Sequence, residues 1–190
     1  TIFTNVVKLF LIMISLGILY VTNGYIKNNK LNLFEYPILL LFAILGMLLM
    51  VSANDLLLLY VSIELQSLSL YVLVALNRDS SKSSEAALKY FILGSIASAI
   101  LLYGISMTYS ITGSTNYNSI AQFNLTNNNS LLFSFGLILI LSGLAFKLSA
   151  APFHMWTPDV YEGSPSSVTT VLITLPKVVA LVALIRLLNE

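Results

Sequence analysis

Residues 131–152 read LLFSFGLILILSGLAFKLSAAP, a near-continuous apolar run that meets its first charge at Lys147 and its first proline at Pro152. A helix needs about 20 such residues to cross the hydrocarbon core of a bilayer, so the run reads as a transmembrane span. Reading outward from it in the same way gives six spans, over 4–26, 37–53, 56–76, 86–112, 131–151 and 167–188. The fold class this predicts is all-α: a polytopic transmembrane helix bundle of about six spans, with one broken helix in the fifth. The fourth span is long enough to require tilting or protrusion. Asn54 and Asp55 alone separate the second span from the third, and read as a tight turn with an N-cap.

Composition narrows the classes further. The chain is 57% hydrophobic and 9% charged, whereas soluble domains carry about 25% charged residues. Its net charge is +1, and no basic patch accompanies an aromatic run, so nothing points to nucleic acid. There is no cysteine, and His154 is the single histidine. A structural zinc site, an iron–sulfur cluster or a bis-histidine haem therefore cannot be held by this sequence alone. Neither a Gly-rich dinucleotide motif nor a P-loop is present, so no cofactor is expected on this chain. Without a basic segment or cleavage site after Thr1, no signal peptide is read, and the missing initiator Met reads as a fragment or a processed end.

The connecting segments are asymmetric. Residues 27–36 contain Lys27 and Lys30, and residues 77–85 contain Arg78 and Lys82, whereas 54–55 and the Asn- and Ser-rich stretch 113–130 have no Lys or Arg. The excess of Lys and Arg on inner loops places 27–36, 77–85 and the 152–166 connection inside. Both ends of the chain then lie outside.

Four charged residues fall in or near spans. Glu64 and Lys177 are central in the third and sixth, Lys147 is late in the fifth, and Lys89 is near the inner edge of the fourth. A charge at the bilayer centre costs roughly 2.5–3.5 kcal/mol on insertion scales, so these groups must be paired or hydrated. A buried Glu64–Lys147 pair that only locks helices together is the plain alternative, and Lys89 is close enough to an interface to reach headgroups instead. Polar stripes favour a hydrated path. Tyr60, Glu64, Ser67 and Tyr71 share one face of the third helix, and Thr170, Thr174 and Lys177 share one on the sixth. Gly136, Gly143 and Lys147 share a face on the fifth, where small residues let helices approach. Pro152 follows Lys147, and Pro176 directly precedes Lys177. Each proline frees a backbone carbonyl, that of Leu148 or Leu172, and in a membrane such breaks line cavities and ion sites. The fifth helix is expected to meet a second half-helix, Phe153 to Tyr161, near Leu148 to Pro152.

The stretch from Lys147 to Pro165, KLSAAPFHMWTPDVYEGSP, resembles the signature of the antiporter-like, proton-translocating membrane subunits of respiratory complex I. Residues 52–56 (SANDL), 63–68 (IELQSL) and 84–90 (SEAALKY) agree with that family, and within it the combination is most similar to the chain 2 type. The resemblance covers nearly the whole chain, most strongly from 37 to 188. It implies a single membrane domain over 1–190, made of a leading helix (4–26) and a five-helix antiporter-like repeat (37–188). It implies a relay in which Glu64 is the essential glutamate, Lys147 the lysine at the broken helix and Lys177 the central connecting lysine. Lys89 matches a further family lysine, and His154 a family histidine that serves either as a relay or in helix packing. Trp156 and Tyr161 read as interfacial anchors.

The implied function is proton translocation coupled to electron transfer from NADH to ubiquinone. NAD, FMN, iron–sulfur clusters and ubiquinone are then expected on partner subunits, with other membrane-arm subunits and lipids as neighbours. The implied location is the mitochondrial inner membrane, or alternatively a bacterial plasma membrane. The family pattern continues into a second repeat, which is expected either in a part of the protein beyond this sequence or on a separate chain. A cation/proton antiporter, a membrane-bound hydrogenase subunit and a membrane subunit without conduction are the competing readings.

The charge asymmetry yields a test. With single cysteines placed in this cysteine-free chain, position 82 is expected to react with an impermeant reagent only from the cytoplasmic or matrix side, and position 118 only from the opposite side. Modification of position 82 from outside alone contradicts the assignment.

Overall fold

Hydrocarbon offers no hydrogen bonds, so a spanning segment of this composition satisfies its backbone within itself, as a helix. The computed structural model describes residues 2–28, 34–126 and 131–189; Lys30 lies outside the described residues. In chain order the helices are α1 (Ile2–Asn28), α2 (Glu35–Ser52), α3 (Leu56–Val74), α4 (Ser81–Thr112), α5 (Tyr117–Thr126), α6 (Leu131–Leu148), α7 (Thr157–Gly163) and α8 (Ser166–Asn189). Six of the described helices, α1, α2, α3, α4, α6 and α8, are long and apolar enough to cross a membrane. They correspond to the six expected spans. Among the described residues no strand forms, only an isolated bridge between Asp55 and Asn116.

α4 is the hub, packing on α6, α3 and α7; α2 packs on α3, α1 and α8, and α8 closes against α6 and α1. α3 is the most enclosed span and α1 the least. Glycine sets the closest approach. A Cβ on Gly104 would lie 2.8 Å from the Gly136 carbonyl oxygen and 2.9 Å from the Ile140 nitrogen. On Gly143 it would lie 2.8 Å from the Leu101 Cβ. The glycine face expected on the fifth span is thus where α6 meets α4. At 32 residues, α4 is about 48 Å long and exceeds a hydrocarbon core of about 30 Å. Its first turns carry the exposed Lys82, Glu85 and Lys89.

The two ends of the bundle are tied differently. At one, ion pairs join Arg78 to Glu35 at 3.3 Å, Lys82 to Glu162 at 3.2 Å and Lys89 to Asp159 at 2.7 Å. These pairs gather the start of α2, the 77–85 segment and α7 at one end of the bundle. At the other, Leu56 N–H donates to Thr115 O (2.9 Å) and Tyr117 N–H to Asn54 O (3.2 Å). The Asp55 carboxylate caps α3 by accepting from Leu58 N–H at 2.7 Å, as the tight-turn reading expects. α5, in the Asn-rich stretch, has no counterpart in the sequence reading. It is a short polar helix, and hydropathy does not register such a segment.

The fifth span is broken, but by a different residue than the proline. α6 stops at Leu148, and Ser149 takes the left-handed conformation with φ 59°. Ser149 N–H donates to Phe146 O (3.0 Å) and Ala150 N–H to Ala145 O (2.9 Å). This is the pair of reverse bonds that closes a helix in a Schellman motif, completed ahead of Pro152. Residues 151–156 are turns, and the second helical piece begins at Thr157, not at Phe153. Pro158 opens it, because proline at a helix start has its φ preset and forgoes only an N–H that has no intrahelical partner.

Pro176, expected to interrupt the sixth span, lies buried inside α8, which runs unbroken from Ser166 to Asn189. Neighbouring helices tolerate such prolines within membranes. Trp156 also departs from expectation. It is 4% exposed, so it is a core residue and not an interfacial anchor. Its indole is stacked on Tyr90 (centroids 4.7 Å) and Phe146 (5.6 Å). Nε1–H donates to the Phe146 carbonyl at 3.2 Å. That bond fastens the turn to the end of α6.

A left-handed residue other than glycine costs roughly 1–2 kcal/mol. Ser149→Gly is therefore expected to hold or raise the thermal stability of the purified protein in detergent, and Ser149→Val, branched at Cβ, to lower it. A stable Ser149→Val protein together with a destabilised Ser149→Gly protein would contradict this account of the break.

Candidate functional site

The polar stripe read on the third span forms on α3, with Ser67 and Tyr71 buried and Tyr60 and Glu64 half-buried. The end of α6 delivers Lys147 to it. Lys147 is 8% exposed, and its ammonium donates to Ser67 Oγ at 2.7 Å. Ser67 in turn donates to the Ile63 carbonyl at 2.6 Å. The Nζ also lies 5.8 Å from the centroid of the Tyr71 ring, a cation over an aromatic face. Lys147 occupies the last turn of α6, where the negative end of the helix dipole favours a cation. Helix break and lysine are thus one electrostatic arrangement.

Glu64 stands on the same stripe one turn from Ser67, about 4.5 Å away along the axis. Its Oε1 is buried without a hydrogen-bond partner, and it joins none of the ion pairs among the described residues. Lys147 and Glu64 therefore share a site without direct contact, with the Ser67 hydroxyl bonded to the lysine beside them. Tyr71, on the same stripe, places its hydroxyl against Gly94, where a Cβ would collide with it. That hydroxyl is also buried and unpartnered.

Lys177 is half-buried on α8, its Nζ 5.3 Å from the Tyr161 ring centroid. The two threonines expected to accompany it turn back on their own helix, Thr170 donating to Ser166 O (2.9 Å) and Thr174 to Thr170 O (2.8 Å). Their hydroxyls offer acceptor lone pairs to the stripe but no free proton. An unbroken series of ring contacts joins the two lysine positions. Tyr71 meets Tyr90 at 4.7 Å, Tyr90 stacks on Trp156 at 4.7 Å, and Trp156 meets Tyr161 edge-on at 6.0 Å.

The other two expected residues lie elsewhere. His154 is exposed in the turn after α6, where its carbonyl accepts from the Thr157 hydroxyl at 2.6 Å. Lys89 is exposed at the bundle end, bonded to Asp159 at 2.7 Å and Glu85 at 2.8 Å. Arg186 was absent from the sequence reading. It is buried late in α8 and donates to Val51 O and Asn54 Oδ1, both at 2.7 Å, so it closes the open end of α2. The signal was available, since Arg186 is a charge inside the last apolar span. Among the described residues no group of His, Asp and Glu side chains is arranged to hold a metal.

These features define a multi-pass membrane protein with a titratable site inside the bundle, built on a helix break. The chain belongs to the transmembrane family described as NADH:quinone oxidoreductase/Mrp antiporter, which it matches over residues 53–189. It is 50% identical over 185 residues to NADH-quinone oxidoreductase subunit N 1 of Rhizobium meliloti (strain 1021), an alignment covering 97% of this chain and 38% of that protein. Against a chain of respiratory complex I from Thermus thermophilus with bound Aureothin, identity is 43% and the TM-score 0.72, over 80% of this chain and 34% of that one. Against a chain of the Mrp complex from Dietzia sp. DQ12-45-1b, identity is 25% and the TM-score 0.77, over 93% and 34%. The chain thus spans little more than a third of the length of the relatives it matches.

Proposed function

We propose that this chain is a proton-translocating part of the membrane arm of an NADH:quinone oxidoreductase. In this reading Glu64, Lys147 and Lys177 carry protons, while electrons pass from NADH to ubiquinone on other subunits. The observation that carries the reading is the buried Lys147 ammonium at a helix break, hydrogen-bonded to Ser67, which lies one turn along α3 from Glu64 and its buried, unpartnered Oε1. An ammonium has three donors, of which Ser67 takes one. A carboxylate that moves closer or farther changes how tightly such a lysine holds its proton. In this reading Glu64 exerts that control, and Lys177 is the next ammonium group across the ring series.

NAD, FMN, iron–sulfur clusters and ubiquinone belong on partner subunits in this reading, as this sequence has no cysteine to hold a cluster. The spans over 37–188 make up one antiporter-like repeat preceded by the 4–26 helix. Other membrane-arm subunits, and the residues that supply a second repeat, complete the path. The Mrp complex chain has the higher TM-score, but the 50% identity to a subunit N against 25% to the Mrp chain favours the oxidoreductase. Bacterial relatives such as that of Rhizobium meliloti favour a bacterial plasma membrane over the mitochondrial inner membrane.

The test is Lys147→Met in membranes containing the assembled complex. Proton pumping and the coupled quinone reduction are expected to fall about a hundredfold or more, the scale of a lost acid–base group, with assembly intact. Lys147→Arg is expected to be harmful too, because guanidinium does not release its proton. Full pumping by Lys147→Met at normal abundance would exclude the role.

A further inference from the structure

α7 has seven residues, well below the length at which a helix stands alone in water, so its neighbours hold it in place. On its flank Gly163 is set flush on α4, where a Cβ would meet the Ala86 Cβ at 2.5 Å and the Lys82 carbonyl oxygen at 2.7 Å. Two ion pairs fasten the same face. Lys82 reaches Glu162 at 3.2 Å, and Lys89, two turns farther along α4, reaches Asp159 at 2.7 Å. Glu85 joins Lys89 at 2.8 Å, which turns the second pair into a three-charge group. Trp156 immediately precedes α7, and its indole bonds the Phe146 carbonyl next to Lys147. Contacts therefore run without a gap from Lys89 through Asp159, α7, Trp156 and Phe146 to Lys147.

We propose that Lys89 is a positioning residue. Its ammonium holds Asp159, and through it α7 and Trp156, so that the end of α6 presents Lys147 to Ser67; it carries no proton itself. Three observations separate it from the relay. It is exposed where Lys147 is buried, it is bonded to two carboxylates, and it touches none of Glu64, Ser67 or Lys177. An exposed pair is worth little alone. Here it acts beside the buried Val160, the close approach of Gly163 and the Lys82–Glu162 pair, and sets where the start of α7 lies on α4.

The inference rests on the proton-transfer reading above, so the experiment includes Lys147→Met as a control. Pumping and quinone reduction are measured in membranes carrying Lys89→Arg, Lys89→Met, Asp159→Asn and the Lys89→Met/Asp159→Asn double variant, each normalised to assembled complex. Arginine keeps the charge and the reach to Asp159 but cannot give up a proton. Lys89→Arg is therefore expected to keep most of the activity. Lys89→Met and Asp159→Asn are each expected to lower it about two- to fivefold, the population change that loss of an exposed pair brings. The double variant is expected to be no worse than either single one, as for two partners in one interaction. Lys89→Arg falling as far as Lys89→Met, or a double variant losing the product of the single effects, would overturn the positioning role. Full activity in Lys147→Met would instead overturn the function on which it rests.

Discussion

An ammonium group cannot lie bare in hydrocarbon, and the architecture around Lys147 follows from that constraint. The cost of burying that charge is offset by a 2.7 Å hydrogen bond to Ser67, the face of Tyr71 and the negative end of α6. The third of these requires the helix to end where it does. Had α6 continued past Leu148, the helix dipole would terminate elsewhere and the chain would carry Ser149 onward as another apolar turn. Ending a helix inside a membrane protein exposes carbonyls that must be bonded. The Phe146 carbonyl accepts from Ser149 N–H and the Trp156 indole, and the Ala145 carbonyl from Ala150 N–H. The break and the charge stabilise each other.

The rest of the bundle serves the same constraint at longer range. Glycines along α4 and α6 bring the two helices close enough to hold the end of α6 against the core. Tyr90 from α4 supplies the surface on which Trp156 stacks, and α7 follows directly from that seat. Arg186, at the opposite end, bonds a carbonyl at the end of α2 and the Asn54 amide just before α3, fixing the axial position of the α3 stripe. Ser67 and Glu64 are therefore placed by contacts far from themselves.

Hydropathy was sufficient for the six spans, since each is a long apolar run whose backbone has no alternative to helix. It was also sufficient for the Glu64–Ser67–Tyr71 face, because helical spacing alone puts those residues together. What it did not contain were outcomes decided between distant segments. Trp156 has the amphipathic chemistry of an interfacial residue, and only the stack with Tyr90 and the carbonyl of Phe146 makes it a core one. Pro152 marked the neighbourhood of the break, yet Ser149 makes it, because the left-handed turn is a backbone choice that serine does not advertise. Pro176 bears the same local chemistry and breaks nothing, since the helices packed around α8 hold it. Lys89 and Asp159 lie 70 residues apart, and no periodicity links them. α5 is too short and polar for a hydropathy reading.

The most direct test of this account is a density map of the protein in a lipid bilayer, fine enough to place side chains around the end of α6. The account predicts a helix that ends at Leu148 with Ser149 left-handed, the Lys147 nitrogen within hydrogen-bond distance of Ser67 Oγ, and Glu64 facing the same space. A helix continuing through Ser149, with Lys147 directed into lipid or headgroups and away from α3, would contradict it.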